Sequence, residues 1–262
     1  MSKKQSEDVR HHVRKHYSQI AGSQTGCCSG SSCCSSNEEK DQLSSRKIGY
    51  TAKELEAAPE GANLGLGCGN PQAIADLKLG ETVIDLGCGG GLDAFLAAQQ
   101  VGETGKVIGI DMTPEMIDKA RVNARKGRYN HVEFRLGEIE NLPVADCSAD
   151  VIISNCVINL SSDKQRVFKE AFRVLRPGGR MAISDIVALS ELPEGTKHDL
   201  AAISGCVAGA ATVIDLEEMI HQAGFQDVKI TVNEKSRALI KDWFPASGFE
   251  NYVRSAIIEA VK

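Results

Sequence analysis

A glycine-rich turn at 85–91, with the sequence DLGCGGG, constrains the fold of this chain more than any other feature. It follows an apolar run at 82–87 that is typical of a buried strand, and it precedes a helical pattern near 92–100. The glycines at alternate positions of the turn are Gly87, Gly89 and Gly91. Glycines permit positive φ angles and let a ligand approach the backbone closely, so the turn predicts a ligand-binding loop between a strand and a helix.

Apolar strand-like runs and amphipathic helical patterns alternate along the rest of the chain. Strands are predicted at 82–87, 106–111, 132–137, 149–155, 180–187, 227–233 and 255–261. Helices are predicted near 92–100, 114–126, 163–175 and 215–223. This alternation indicates a parallel sheet covered on both faces. We therefore predict an α/β, Rossmann-like fold with a seven-stranded, mostly parallel sheet, whose last two strands form an antiparallel hairpin at the edge.

Two parts of the chain stand outside this alternation. The N-terminal part, 1–45, begins with a helical pattern at 6–20 and continues into a tract at 22–36 of Gly, Ser, Thr, Gln and paired Cys, which cannot bury a core. We predict that it forms a separate segment before a core domain at 46–262. Residues 190–212 are rich in Ala and Gly and interrupt the rhythm of strands and helices, so we predict an inserted lid there.

The composition argues against several classes of protein. The formal net charge is −5, so a nucleic-acid partner would gain nothing from bulk electrostatics. The sequence contains no run of about 18 apolar residues that could span a membrane. Its polar N-terminus has no signal-peptide core, while 42% hydrophobic residues support a sizeable interior. We expect a cytoplasmic monomer with no nucleic-acid or membrane partner.

Side chains at the ends of the predicted strands favour S-adenosylmethionine as the ligand of the turn. Asp85 would repel a pyrophosphate but suits the cationic amino-acid tail of this cofactor. Asp111 ends the second strand, where it can accept both ribose hydroxyls, and Met112 can pack on the adenine. Glu138 and Ile139 follow the third strand and can contact the adenine edge. The predicted cofactor-binding residues are Asp85, Gly87, Gly89, Gly91, Asp111, Met112, Glu138, Ile139 and Asn155.

Each of these carboxylates, taken alone, could equally be an ordinary loop acid. Their combination with the glycine turn favours the cofactor site, since strand ends meet at the ligand-binding edge of an open α/β sheet.

Nine cysteines, an odd number in a chain without a secretory signal, argue against a structural disulfide framework. Cys68 lies in a Gly-rich loop before the core, Cys156 at the end of the fourth strand, and Cys206 in the predicted lid. Three thiolates that converge above the cofactor would suit trivalent arsenic, which takes three sulfurs and keeps a lone pair. Zinc usually takes four ligands in paired spacing, which these cysteines lack.

The chain resembles the arsenite methyltransferases, which belong to the class I S-adenosylmethionine-dependent methyltransferases. The matching segments are Tyr50-Thr51, 65–71, 85–93, 109–113, 154–160, 176–179 and 204–206. The segments 65–71 and 154–160 are specific to this family, whereas many methyltransferases share the glycine turn. The resemblance covers nearly the whole chain. Because the sequence stops at Lys262, we expect it to lack the extra C-terminal domain of longer relatives.

This resemblance implies an enzyme that transfers methyl groups from S-adenosylmethionine to arsenite for arsenic detoxification. It implies that Cys68, Cys156 and Cys206 bind As(III) delivered as a thiol complex, and that glutathione or thioredoxin supplies the reductant. In the family a further N-terminal cysteine takes part and can shuttle disulfides with the others. The candidates for it here are Cys27, Cys28, Cys33 and Cys34. We predict that Cys28 takes part.

Two other functions remain open at this point. One is a methyltransferase for a small organic acceptor such as a quinone precursor, with inert cysteines. The other is a thiol-based arsenic-binding or sensing module without turnover. The sequence also leaves open the number of methyl groups added and the role of His198.

Several other residues have ordinary explanations. Cys88 is expected to be a small packing residue rather than a ligand. The histidines at 11, 12 and 16 are expected on a solvated helix face. Tyr17 could pack on the cofactor or belong to the core.

Overall fold

The predicted strands form one seven-stranded sheet in the computed structural model, which describes residues 3–23, 35–193, 195–196, 202–203 and 205–262. The strands are β1 (Thr82–Leu86), β2 (Lys106–Asp111), β3 (Val132–Leu136), β4 (Ala149–Asn155), β5 (Leu175–Ala188), β6 (Gln226–Asn233) and β7 (Val253–Val261). Their order in the sheet is β3-β2-β1-β4-β5-β7-β6. β1 to β5 pair in parallel, and β7 runs antiparallel to both β5 and β6. The mostly parallel sheet predicted from the sequence is confirmed.

The order of the strands creates a crevice at one edge of the sheet. β1 pairs with β2 on one side and with β4 on the other. The chain therefore leaves the centre of the sheet in two opposite directions, and a crevice opens beyond the carboxyl ends of β1 and β4. Open α/β sheets bind ligands at such a switch point.

Helices cover both faces of the sheet. They are α1 (Lys3–Ser23), α2 (Ser35–Lys47), α3 (Ala52–Ala57), α4 (Leu92–Val101), α5 (Pro114–Gly127), α6 (Lys164–Val174), α7 (Val213–Ala223) and α8 (Ser236–Trp243). On one face, Phe95 of α4 and Ile117 of α5 are buried against the strands. On the other face, Phe168 of α6 and Ile220 of α7 are buried in a second apolar cluster.

Three helices were not predicted from the sequence. α2 and α3 lie before the first predicted strand, and neither has a strong periodic signal, because α2 has no apolar stripe and α3 has only six residues. α3 begins at a capping box between Thr51 and Glu54. α8 joins β6 to β7, so the predicted edge hairpin is wrong in detail. The two strands do pair antiparallel, but they are linked through a helix, and β7 lies inside the sheet.

The segment 190–212 lies between β5 and α7, and the structure describes it in part. Ala202, Cys206 and Val207 are buried in an apolar cluster with Ile186 of β5. The described part of the segment thus packs against the sheet, and its movement as a lid stays a prediction. Among the described residues, no helix combines the length and the apolar character needed to cross a membrane.

Candidate functional site

A cavity opens at the carboxyl edge of the sheet, beside the glycine turn. Residues of its lining that the sequence predicted as cofactor-binding are Asp85, Gly87, Gly89, Asp111, Met112, Ile139 and Asn155. Gly91 and Glu138 are not part of this lining.

The glycines of the turn serve two different purposes. All three have positive φ angles, 70° at Gly87, 50° at Gly89 and 97° at Gly91. A Cβ at Gly87 would collide with Val157, and one at Gly91 would lie 2.6 Å from the Phe95 ring. A Cβ at Gly89 would meet nothing within 4 Å. Gly91 is therefore required for packing at the start of α4, and its predicted cofactor role stays a prediction, whereas Gly89 leaves open space above the loop.

Asp85 presents a buried carboxylate oxygen without a protein partner. The residue is 2% exposed, and its Oδ2 atom has no hydrogen-bond partner among the described residues. Burial, followed by the charges of Asp93 and Asp111, raises the pKa of Asp85 well above its usual range. A buried carboxylate in this state is costly unless a cation or donor pairs with it. The ammonium group of S-adenosylmethionine would fit, since Asp85 lines the cavity.

Asp111 is oriented by the backbone around it. Its Oδ2 accepts the N–H of Gly89 at 3.0 Å, and its Oδ1 accepts the N–H of Thr113 at 2.8 Å. Each carboxylate oxygen can accept a further hydrogen bond, so Asp111 can still receive two ribose hydroxyls. The unpaired oxygen of Asp85, the open space at Gly89 and the fixed carboxylate of Asp111 together fit S-adenosylmethionine.

The sequence predicted that Glu138 contacts the cofactor, but Glu138 does not line the cavity. Its carboxylate pairs with Arg10 and Arg14 of α1, each at 3.3 Å. Those ion pairs tie α1 to the loop after β3, and the next acid along, Glu140, lines the cavity instead. The predicted cofactor contact of the Glu138 side chain therefore has no support in the geometry, because the arginines hold the carboxylate.

Asn155 fixes the loop that carries Cys68. Its Oδ1 accepts the N–H of Cys68 at 3.0 Å, and its Nδ2 donates to the carbonyl oxygen of Gly69 at 2.8 Å and to the Tyr50 hydroxyl oxygen at 2.9 Å. Tyr50 in turn donates to Asp93 at 2.7 Å. Asn155 lines the cavity, but these hydrogen bonds give it a second task, which is to hold Cys68 against the end of β4.

The structure brings Cys68, Cys156 and Cys206 together in one buried apolar cluster. Cys68 and Cys156 are joined by a disulfide bond, and the Cys206 thiol donates to the carbonyl oxygen of Cys156 at 2.8 Å. The residues themselves had argued against a structural disulfide framework, so this pairing was not expected from composition. The closed disulfide leaves Cys206 as the free thiol among the three.

Cys156 and Cys206 have backbone conformations that are uncommon for residues other than glycine. Their φ angles are 55° and 63°. Such conformations cost on the order of 1–3 kcal/mol and persist where the surrounding structure imposes them. Here the N–H of Cys156 donates to Ser184 at 2.8 Å, and that of Cys206 donates to Ile203 at 3.2 Å. Two predicted arsenic ligands thus have this conformation, which five other described non-glycine residues, among them Cys147 at 47°, share.

Asp185 of β5 is an acidic neighbour of the cysteine sulfurs, and it was not predicted from the sequence. A carboxylate oxygen of Asp185 lies within 4.8 Å of the sulfurs of Cys68 and Cys156. It accepts backbone N–H groups from Ile158 at 2.9 Å and from Ile186 at 2.7 Å, and burial raises its pKa to about 6. Its position within an apolar strand gave no signal of a functional role.

Cys206 is held as a neutral thiol rather than as the thiolate expected from the sequence. Burial, followed by the nearby charge of Asp185, raises the pKa of Cys206 well above its usual range. A bound arsenic would stabilise the deprotonated sulfur, because coordination releases the thiol proton.

A second cavity lies between α1 and α8. Its lining includes His12, His16, Trp243, Phe244 and Cys206. The three histidines of α1 were expected on a solvated face. His11 and His16 are exposed and His12 is half-buried, and His12 and His16 also line this cavity.

The two cavities meet along a common wall. The residues that line both are Tyr17, Gly65, Leu66, Gly67 and Cys156. Cys156 is therefore in reach of both.

The remaining cysteines are separate from this cluster or outside the described residues. Cys88 is buried and free, and it packs in the apolar cluster of α4 and α5 while also lining the first cavity. Cys147 is exposed. The residues that lie outside the described ranges are Cys27, Cys28, Cys33, Cys34 and His198.

Comparisons with known proteins agree with this geometry. A model of the methyltransferase domain family matches residues 77–224. The chain is 51% identical to the arsenite methyltransferase of Halobacterium salinarum over 98% of this chain and 67% of that protein. It is 40% identical to the arsenite methyltransferase of Aquipseudomonas alcaligenes over 64% of this chain and 50% of that protein. It thus spans about two thirds of the first relative and half of the second.

A solved structure has the same fold. The crystal structure of an arsenic (III) S-adenosylmethionine methyltransferase from Chlamydomonas reinhardtii superposes with a TM-score of 0.62 at 34% sequence identity. The superposition covers 83% of this chain and 72% of that one.

Proposed function

Because the chain belongs to the arsenite methyltransferase family of class I S-adenosylmethionine-dependent methyltransferases, we propose that it transfers methyl groups from S-adenosylmethionine to trivalent arsenic held by Cys68, Cys156 and Cys206. One observation carries the proposal. The three cysteines meet in one buried cluster, and Cys156 lines the cavity beside the glycine turn. An acceptor bound to these sulfurs would therefore lie next to the methyl donor.

The residues of the first cavity bind and orient the cofactor in this proposal. S-adenosylmethionine supplies an electrophilic methyl group on a cationic sulfur. Asp85 pairs with the ammonium group, and Asp111 accepts the ribose hydroxyls. The turn at Gly89 leaves space for the ligand because no side chain occupies it. The buried walls exclude water, so the acceptor meets the methyl group in a fixed geometry, which supplies much of the acceleration.

Arsenic loading requires the disulfide to be opened first. Two small thiols reduce the Cys68–Cys156 bond, supply its two electrons and two protons, and leave as their own disulfide. Each protein sulfur then replaces one thiol of the arsenic complex, and the cysteine proton passes to the departing carrier sulfur. This chemistry needs a reducing compartment such as the cytoplasm, with glutathione or thioredoxin as the source of electrons.

Methyl transfer itself needs no general base. With S-adenosylmethionine held by Asp85 and Asp111, its methyl group would pass to the arsenic lone pair, so that an As–C bond would form as the bond from the methyl group to the cofactor sulfur breaks. Arsenic is formally oxidised in this step, so two electrons from thiols return it to the trivalent state. We propose Cys28, which lies outside the described residues, as one of the thiols in this exchange.

Arsenic X-ray absorption on the reduced protein tests the acceptor site. The expected spectrum has three sulfur neighbours around arsenic, falling to two in Cys206→Ser, while the matched Cys147→Ser variant keeps three because Cys147 is exposed and outside the cluster. An oxygen-dominated shell, or a shell that Cys206→Ser leaves unchanged, would contradict the proposed ligand set.

A further inference from the structure

The second cavity has the form of a passage that leads from the surface to the thiols. His16 is exposed, and Trp243 and Phe244 are half-buried. Deeper in, Cys206 is 3% exposed and Ile186 is 1% exposed. Side-chain exposure therefore falls from His16 of α1 and Trp243 of α8 toward Cys206.

This passage and the cofactor cavity approach Cys156 from different sides. Their shared wall consists of Tyr17, the segment 65–67 and Cys156. The residues that bind the cofactor in the proposed function, such as Asp85 and Asp111, line the first cavity and not the second. A ligand in one cavity therefore does not need to pass through the other to reach Cys156.

We propose that the cavity between α1 and α8 is the entrance through which a trivalent arsenic–thiol complex reaches Cys156 and Cys206, separate from the route of the cofactor. This inference rests on the proposed function, since it assumes that these sulfurs bind arsenic. The cavity volume of about 490 Å³ leaves room for a complex that still carries small thiols. Its wall suits a neutral complex, because Trp243, Phe244 and Leu66 present apolar surface.

The exchange in this entrance is balanced without an oxidant. One As–S bond to a carrier thiol breaks for each As–S bond to a cysteine that forms, and the cysteine proton moves to the departing carrier sulfur. The carrier thiols then leave by the same entrance. As a consequence, spent cofactor can be replaced from the other side while methylated arsenic stays on the cysteines.

Trp243 provides the measurement, because it is the single tryptophan of the chain and lines this entrance. Stopped-flow fluorescence would follow arsenite and its complexes with thiols of increasing size as they bind to the reduced protein. The variant His12→Phe/His16→Phe narrows the entrance. His11→Phe is the matched control, since His11 is exposed on the same helix and does not line the cavity.

The entrance predicts a specific pattern of rates. The association rate constant should fall by about tenfold or more in His12→Phe/His16→Phe and stay unchanged in His11→Phe. A fall of this size lies within the range found among mutants of one binding surface. In the wild type, bulkier carrier thiols should slow association, whereas saturating S-adenosylhomocysteine should not. Cofactor affinity, measured by calorimetry, should be the same in all three proteins.

Other patterns would overturn the inference. Wild-type rates in the double variant would place the entrance elsewhere, and strong slowing by S-adenosylhomocysteine would show that arsenic enters through the cofactor cavity. The double variant could fail to bind cofactor because it is misfolded. In that case the wild-type association rates, measured with bulkier carrier thiols and with S-adenosylhomocysteine, still test the inference. If the wild type neither binds nor methylates arsenic, the proposed function fails instead.

Discussion

Replacing Cys156 with serine is expected to abolish methyl transfer to arsenic while cofactor binding persists. Cys156 lines both cavities and belongs to the three-cysteine cluster, so its sulfur is the one best placed to hold arsenic next to the methyl donor. A serine oxygen is a poor ligand for a thiophilic centre. Activity should fall by more than about 100-fold, the upper loss seen when only the supporting partners of a metal ligand are removed.

The measurement compares arsenic products and cofactor affinity for wild type, Cys156→Ser and the control Cys147→Ser, all under reducing conditions so that the Cys68–Cys156 disulfide does not contribute to stability. Cofactor affinity should stay close to the wild-type value in either variant, because Asp85 and Asp111, which hold the cofactor in the proposed function, are unchanged. Retained arsenite methylation in Cys156→Ser would refute the role of this sulfur.

Replacing Asp85 with asparagine is expected to have opposite effects on cofactor binding and on stability. The carboxylate is buried with one unpaired oxygen, so it binds a cationic ammonium group strongly. Losing a hydrogen bond to a charged group costs about 1.5–3 kcal/mol, which corresponds to a loss of cofactor affinity of roughly 10-fold to 100-fold. The unliganded protein should nevertheless become more stable, because asparagine removes a charge whose burial is unfavourable.

The gain in stability should depend on pH in a defined direction. Burial and the neighbouring acids raise the pKa of Asp85 in the folded protein. An acid with a raised folded pKa stabilises the fold below its unfolded value, about 3.9, and that stability is lost as the pH rises through the raised value. The free energy of unfolding of Asp85→Asn should therefore match the wild type near pH 4 and exceed it at neutral pH.

Denaturant unfolding across this pH range, followed by the fluorescence of Trp243, measures the effect. Asp76→Asn is the matched control, because Asp76 is exposed and pairs with the exposed Lys78. Equal stability of Asp85→Asn and wild type at all pH values, or undiminished cofactor affinity, would contradict the assignment of Asp85 as the partner of the cationic group.

The sheet could be predicted from the sequence because its strands are apolar and separated by amphipathic helices. The periodic pattern also predicted Asp85 and Asp111 at the strand ends, where both line the first cavity, and their roles toward the cofactor stay predictions. The insertion of β7 between β5 and β6 could not be predicted, because strand order depends on packing over the whole domain. α2 could not be predicted, because a helix without an apolar stripe has no periodic signal.

The features of the site that depend on residue type and position along the chain could be predicted. Those that depend on contacts made by the fold could not. Cys68, Cys156 and Cys206 could be selected because they lie in loops or at a strand end. The proximity of Asp185, the hydrogen bonds of Asn155 to the Cys68 loop, and the packing role of Gly91 depend on contacts between distant segments. No local pattern in the sequence encodes them.

The most direct test of the account is to follow the methyl group itself. Reduced protein would be given S-adenosylmethionine with a deuterated methyl group, together with arsenite and a quinol acceptor in competition, and the products would be separated and analysed by mass spectrometry. Under the proposed function, deuterated methyl groups should appear on arsenic and none on the quinol. Label on the quinol, or arsenic that binds without acquiring a methyl group, would contradict it.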